Sequence, residues 1–453
     1  MVKKRKYFGT DGIRGRANSS KMNAELALQI GIASAEFFRR GKHLHYVLIG
    51  KDTRLSNYTI EPSLTAGFLS MGMNVYLTGP LPTPGVAALV SSMRCDLGVM
   101  ISASHNSYVD NGIKIFGPGG MKLSDMQEAQ IEKLIDKKNK QLVDSEKLGR
   151  AKRIDDAGGR YIEYLKSRIP SYLKLDGIKI VVDCANGAAY KVAPTILWEL
   201  GATVFPINVE PNGKNVNQNC GSTDPRKLIE KVKEIKADIG IALDGDADRC
   251  TIVDERGIII NGDLIIGIIS SSWKEKGRLE KNTVVGTIMS NNALENYLNK
   301  IGISLIRTPV GDRNIIKEMQ EKQFPLGGEP SGHIILGDYS STGDGLLASL
   351  EILGIMKEKN KKLSSISSLF IPTPQISKSY LIDSDQIYKN ILLGSEKKLS
   401  ELKNKIKNNC RLIIRKSGTE NKIRIMAESK SITLAKKAVS ASMKIIKEND
   451  EEK

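Results

Sequence analysis

Three aspartates at alternate positions make the first chemical suggestion in this chain: Asp244, Asp246 and Asp248 in "DGDADR", directly after the apolar run "IGIAL". A loop curling away from a strand end can turn three hard oxygen donors onto one small cation. Magnesium suits the set best, because it accepts a few carboxylates and completes its shell with phosphate oxygens. The twelfth position from Asp244 is Glu255, as in an EF-hand loop, but Arg249 stands sixth, where that loop requires glycine, and the flanks read as strands. Three carboxylates and a divalent ion leave one negative charge, which the neighbouring Arg249 balances only in part once an anion is added.

A second stretch offers that anion. "LGVMISASHN" runs as an apolar strand into Ser102, Ser104, His105 and Asn106. A phosphoryl group on Ser104 would place strong acceptor oxygens where a metal can hold them, so Ser104 is a candidate group carrier and a candidate metal ligand beside the three aspartates. A serine-hydrolase triad is disfavoured by the lack of a G-x-S-x-G elbow and by a total of four histidines. His43 and His45 read as surface residues, whereas His105 and His333 fall in loops after strands. Near the C-terminus, "RKSGTENKIR" combines the forked donors of Arg415 and Arg424 with Ser417, Gly418 and Thr419, whose hydroxyls and exposed backbone amides complete a phosphate cradle. The "GPGG" at Gly117 to Gly120 is not followed by Gly-Lys-Ser/Thr and reads as a turn.

Such loops need a scaffold, and a threefold internal repeat supplies one. The copies begin at "HYVLIGKDTR", "IKIVVDCANG" and "NTVVGTIMSN", and each reads strand, helix, strand, helix, strand. In each, the first helix ends at a glycine, Gly72, Gly201 or Gly302, suited to a left-handed cap. Each copy delivers a polar loop after its last strand: "SASHN", "DGDADR" and "GEPSGH". The alternation predicts an α/β fold of three repeated mixed-sheet domains plus a smaller α+β C-terminal domain. The linkers fall in a charged helical stretch around "KKNKQLVDSEKLGRAK" and in the proline-broken "SLFIPTPQ".

At 453 residues the chain exceeds a single core. Its 40% hydrophobic and 26% charged residues exclude a disordered class. No apolar run approaches the roughly 20 residues of a membrane span, and the basic N-terminus has no apolar stretch behind it, so a cytoplasmic protein without membrane contact is expected. The five cysteines are scattered and never paired as C-x-x-C, which reads as small buried residues rather than a disulfide framework or zinc site. A net charge of +17 admits anionic substrates or nucleic acid. With 5% aromatics and none interleaved in the lysine-rich segments, a solvated basic surface is favoured over a base-stacking groove.

In that order, "FGTDGIRG", "SASHN", "DGDADR", "GEPSGH" and "RKSGTEN" resemble the α-D-phosphohexomutase superfamily over essentially the whole chain. "YFGTDGIRG", "GKDTR" and "TGDGLL" are similar to its branch that interconverts glucosamine 6-phosphate and glucosamine 1-phosphate on the bacterial route to UDP-N-acetylglucosamine. The resemblance implies four domains around a central cleft: 1–155 with the phosphoserine loop, 156–255 with the metal loop, 256–370 with the sugar loop, and 371–453 binding phosphate. It implies a phosphorylated Ser104 and a glucosamine 1,6-bisphosphate intermediate, with one Mg²⁺ per site on Asp244, Asp246, Asp248 and the phosphoserine. His105 and Lys114, with Arg14 and Arg249, are implied in proton transfer and charge stabilisation. Glu329 and Ser331 are implied in sugar binding, and Arg415, Ser417, Gly418, Thr419 and Arg424 in holding the non-reacting phosphate. A hexose bisphosphate activator and a small-molecule sugar phosphate partner follow; a homodimer is left open. Ser107, Pro330 and Asn421 depart from the superfamily pattern without removing a catalytic group. The alternatives are the same chemistry on a neutral hexose (phosphomannomutase or phosphoglucomutase), a phosphatase using the same serine, and, more distantly, a nucleic-acid-binding protein.

Overall fold

The computed structural model describes residues 6–382, 385–417 and 422–451. Two compact units divide it: Met1–Ser290 with Tyr297–Leu369, and Asn291–Asn296 with Phe370–Lys453.

The larger unit holds three sheets. In the first, apolar strands Leu97–Ile101 and Tyr46–Lys51 lie parallel at the centre. Val47, Ile49, Leu97, Val99 and Ile101 are fully buried, and each aliphatic side chain withdrawn from water in this way contributes about 1.5–3 kcal/mol. Strand Asn74–Pro80 flanks Tyr46–Lys51 in parallel, and Asp110–Phe116 returns antiparallel beside Leu97–Ile101. Ile13–Arg16 closes one edge and Ala151–Arg153 the other.

The same four-strand order recurs in the second sheet: Cys250–Asp254 antiparallel to Ile239–Leu243, then Lys179–Asp183 and Thr203–Ile207 in parallel. It recurs again in the third, as Ile334–Leu336, Leu326–Gly328, Thr283–Thr287 and Ser304–Thr308. The repeat read from sequence is present, with one addition. Each copy ends in an antiparallel return strand, so every polar loop is pinned at both ends by a sheet. The cap glycines Gly72, Gly201 and Gly302 all take left-handed φ, at 74°, 96° and 69°.

One linker expectation is corrected. The segment after helix Asp125–Ile135 is irregular apart from a single turn at Ser145–Lys147, and then joins the first sheet through Ala151–Arg153. Its lysines and polar residues provide no apolar stripe for a helix to bury.

The smaller unit is an antiparallel three-stranded sheet in the order Gln375–Leu381, Lys422–Glu428, Arg411–Lys416, with helices Asp385–Ile406 and Ile432–Glu451. The helix Asp385–Ile406 and the edge strand Gln375–Leu381 were absent from the sequence reading. Among the described residues no helix is long and apolar enough to cross a membrane. All five cysteines are free and buried.

Candidate active site

Ser104 has φ +51°, in the left-handed region that a side chain normally avoids. Its loop is held there from beneath. The Ser102 hydroxyl accepts the Ser104 amide at 2.8 Å and donates to Asp52 at 2.7 Å. Arg54, fully buried and paired to Asp52, donates to the carbonyls of Ser104 at 2.9 Å, Asn106 at 2.8 Å and Asp110 at 2.9 Å, and also to that of Ser107. Asn217 adds bonds to the same Ser104 and Asn106 carbonyls, at 2.8 and 3.0 Å. A guanidinium with its donors filled by loop carbonyls fixes a conformation that the loop's own sequence does not favour.

The metal loop meets this one directly. Ser104 Oγ donates to Asp244 Oδ2 at 2.6 Å and lies 3.5 Å from Asp248 Oδ1. One carboxylate oxygen from each of Asp244, Asp246 and Asp248 falls within 4.8 Å of the others, and all three residues are buried. Asp246 Oδ1 is buried with no hydrogen-bond partner among the described residues. Oxygen donors of this kind, one of them unsatisfied, fit a hard divalent cation. The close approach depends on Gly245, where a Cβ would stand 2.7 Å from the Ser104 carbonyl oxygen.

Cations enclose the cluster. Lys114, on the return strand, reaches Asp246 at 2.8 Å and Asp248 and Asp11 at 3.1 Å. Arg14 on the neighbouring edge strand pairs with Asp11, and Lys122 bridges Asp11 and Asp312. Burial alone would lower the Lys114 pKa, but Asp11, Asp246 and Asp248 hold it well above the ordinary value, as an ammonium. Asp248 is pushed up by burial yet drawn well below the carboxylate range by Lys114 and His333. Asp244 goes the other way: burial, then the charges of Asp248 and Asp246, raise it well above its usual range. Such opposed shifts mark carboxylates crowded together, a repulsion that a divalent cation would relieve. Burial, with Arg249 and Arg14 close by, lowers the His105 imidazole to about 3, leaving it neutral.

The third loop completes the arrangement. Its carboxylate, Glu329, accepts the Gly311 amide at 3.0 Å and the Ser331 hydroxyl at 3.1 Å. His333 lies 3.7 Å from Asp248 and 3.6 Å from Asp312. Pro330, a departure from the superfamily pattern, accepts the Gly262 amide through its carbonyl at 3.2 Å.

The structure therefore brings Ser104, Lys114, Arg14, Arg249, Asp244, Asp246 and Asp248 into one charge network, with His105 beside it. It adds groups that the sequence reading passed over: Asp11, Asp52, Arg54, Lys122, Asn217, Asp312 and Thr83, whose hydroxyl donates to Asp246 at 2.6 Å. "FGTDGIRG" and "GKDTR" contained three of them, but nothing local says that Arg54 turns inward. In the smaller unit Arg415 and Arg424 occupy directly paired positions of an antiparallel hairpin, and Arg424 Nε donates to Ser417 Oγ at 3.4 Å. Like charges directly opposite destabilise a sheet unless an anion joins them. Gly418, Thr419 and Asn421 lie outside the described residues. His45, expected at the surface, is buried just before the central strand Tyr46–Lys51, with its imidazole against Asp96; His43 is exposed.

Comparison with known proteins bears on the same residues. The models of phosphoglucomutase/phosphomannomutase α/β/α domains I, II and III match residues 5–142, 159–257 and 261–372, and that family's C-terminal domain matches 378–441. The chain is 53% identical to phosphoglucosamine mutase of Parvibaculum lavamentivorans, covering 98% of this chain and 99% of that one. It is 54% identical to the Bradyrhizobium diazoefficiens phosphoglucosamine mutase, over 96% and 97%. Among solved structures, a phosphoglucomutase/phosphomannomutase family protein of Burkholderia thailandensis has a TM-score of 0.79 at 22% identity, covering 99% of this chain and 98% of that one. The Aspergillus fumigatus N-acetylphosphoglucosamine mutase, solved with GlcNAc-6P and magnesium, has 0.69 at 16% identity, over 99% and 96%.

Proposed function

The chain belongs to the phosphoglucosamine mutases of the phosphoglucomutase/phosphomannomutase family, isomerases that interconvert glucosamine 6-phosphate and glucosamine 1-phosphate, and on that premise we propose that Ser104 is the residue that carries the phosphoryl group. The contact between Ser104 Oγ and Asp244 Oδ2, at the centre of a buried ring of charges, is the observation that carries this reading. In the forward half-reaction the Oγ–P bond of phosphorylated Ser104 breaks, a bond forms from phosphorus to the 1-hydroxyl oxygen of glucosamine 6-phosphate, and that hydroxyl's proton passes through a base to the departing Ser104 oxygen. The 1,6-bisphosphate so formed reorients. Its 6-phosphoryl group then moves to Ser104: the O6–P bond breaks, the Ser104 hydroxyl's proton passes to O6, and glucosamine 1-phosphate leaves.

Asp244, Asp246 and Asp248 would hold Mg²⁺, which supplies charge neutralisation and in-line orientation of the phosphoryl group when bound. Lys114, kept as an ammonium, stabilises negative charge on the transferring oxygens together with Arg14 and Arg249. His105 is the proposed proton acceptor, its basicity, lowered by burial and the neighbouring arginines, restored in part by the negative charge of a phosphorylated Ser104. Glu329 and Ser331 take sugar hydroxyls or the amino group, and Arg415, Ser417, Gly418, Thr419 and Arg424 take the phosphate that is not reacting. Separate grips of this kind let one site accept the intermediate both ways round. A hexose bisphosphate would prime unphosphorylated Ser104. The reaction belongs in the cytoplasm, on the path to UDP-N-acetylglucosamine.

Turnover of glucosamine 6-phosphate, mannose 6-phosphate and glucose 6-phosphate, each with Mg²⁺ and a trace of hexose bisphosphate, tests the reading. A strong preference for the amino sugar is expected. A preference for a neutral hexose would keep Ser104 in its role and reassign the substrate. Loss of no turnover in Ser104→Ala would sink the phosphoserine role itself.

A further inference from the structure

Two of the chain's four histidines stand outside the active site and point at one oxygen. His43 Nε2 lies 2.7 Å and His45 Nδ1 3.2 Å from the same Asp96 Oδ1, and the two imidazole rings sit 4.2 Å apart, centre to centre. The donor atoms of all three side chains lie within 4.8 Å of one another. Asp96 is held in place from behind, since its other oxygen accepts the Tyr46 amide at 2.8 Å. That is the arrangement by which a second partner fixes a metal-binding side chain. His45 is 6% and Asp96 14% exposed, whereas His43 is 59% exposed, so the cluster is built on one rigid side and open to solvent on the other.

Its place in the fold separates it from the catalytic loops. His45 precedes the strand Tyr46–Lys51, and Asp96 precedes the parallel strand Leu97–Ile101, with Val47 paired to Leu97. The opposite ends of these strands lead to Asp52 and to Ser102 and Ser104. At about 3.3 Å per residue, five or six residues put roughly 16–20 Å between the two sites.

We propose that His43, His45 and Asp96 form a second metal site, selective for borderline divalent transition ions such as Zn²⁺ or Co²⁺ and distinct from the aspartate cluster. Two imidazoles and one carboxylate match the donor set that zinc accepts, and solvent can supply the fourth ligand. Three carboxylates favour a hard ion such as Mg²⁺; two imidazoles favour the later first-row ions. The enzyme thus has two sites that sort ions by chemistry. Because the ligands join the starts of two central strands, occupancy stabilises the larger unit by mass action without contributing to phosphoryl transfer.

Equilibrium dialysis of the full chain against micromolar Zn²⁺ in millimolar Mg²⁺, with metal content measured directly, tests this. One equivalent of Zn²⁺ is expected on the wild type, with affinity at least tenfold lower in His43→Ala and in His45→Gln. Mg²⁺-supported turnover should be unchanged in His43→Ala. Co²⁺ in place of Zn²⁺ should give visible absorption bands of a nitrogen-ligated site, and these should be missing from the same variants. Absence of bound Zn²⁺ in the wild type would overturn the proposal, as would equal binding in His43→Ala, which would place the ion elsewhere.

Discussion

At the scale of single residues, Ser104 illustrates how a strained position is maintained. Its left-handed backbone costs of order 1–3 kcal/mol, and the surrounding hydrogen bonds must outweigh that cost. Arg54 is the main contributor, with donors to several loop carbonyls and an ion pair to Asp52 inside the fold. Lysine has three donors on a flexible stem and no planar fork. Arg54→Lys should therefore lower kcat by about 10²-fold, as expected when a reacting atom is displaced by an ångström, while KM for the sugar phosphate changes little. Steady-state kinetics check that split; a purely structural role would instead reduce the amount of folded enzyme at unchanged kcat. Ser104→Ala should remove nearly all turnover while leaving the thermal unfolding curve in place, since the loop is held through its carbonyls. The chemical types of the site were legible in the sequence because Ser104, Asp244, Asp246 and Asp248 follow apolar strands directly. Arg54 was not, because its role consists of contacts to residues some fifty positions away, which no local spacing encodes.

At the scale of elements, the threefold strand and helix alternation was readable from apolar runs and cap glycines. The antiparallel return strands were not, because "CTIVD" and "IIL" are short and look like extensions of the loops before them. Helix Gly345–Lys359 shows what such elements ask of the polar residues at their ends. Asp344 caps it, accepting the Leu346 and Leu347 amides at 3.1 and 2.9 Å and the Tyr161 hydroxyl at 2.8 Å. Burial nonetheless raises its carboxyl to about 6. Since the folded pKa exceeds the unfolded value near 3.9, the folded state keeps a proton that the unfolded state loses between these pH values. Stability from this group is highest below pH 4 and falls as pH rises to about 6, by about 3 kcal/mol in all. Asp344→Asn keeps the cap acceptor and removes the titration, so the difference between variant and wild-type stability should grow in the variant's favour from pH 4 to 6 and then level off. Denaturant unfolding across that range measures it.

At the scale of the whole molecule, the proposed roles fall to separate segments of chain, and the net charge of +17 suits the anionic sugar phosphate proposed as substrate. Chelation of divalent ions should abolish turnover, and Mg²⁺ should restore it. Turnover that survives exhaustive chelation would count against a metal on the aspartates. Arg424→Ala should raise KM for glucosamine 6-phosphate about tenfold with a smaller change in kcat, because a charge-assisted bond to phosphate contributes roughly 1.5–3 kcal/mol. The metal loop and the sugar loop are also fastened to each other. The Cys250 amide donates to the Gly332 carbonyl at 3.0 Å, and a Cβ on Gly332 would stand 1.9 Å from the Cys250 carbonyl oxygen. For anyone exchanging parts between relatives, this joint means that the sugar loop is not a cassette. A transplant that changes sugar preference has to bring the strand after the aspartates with it, or the graft will shift the aspartates that it was meant to leave alone.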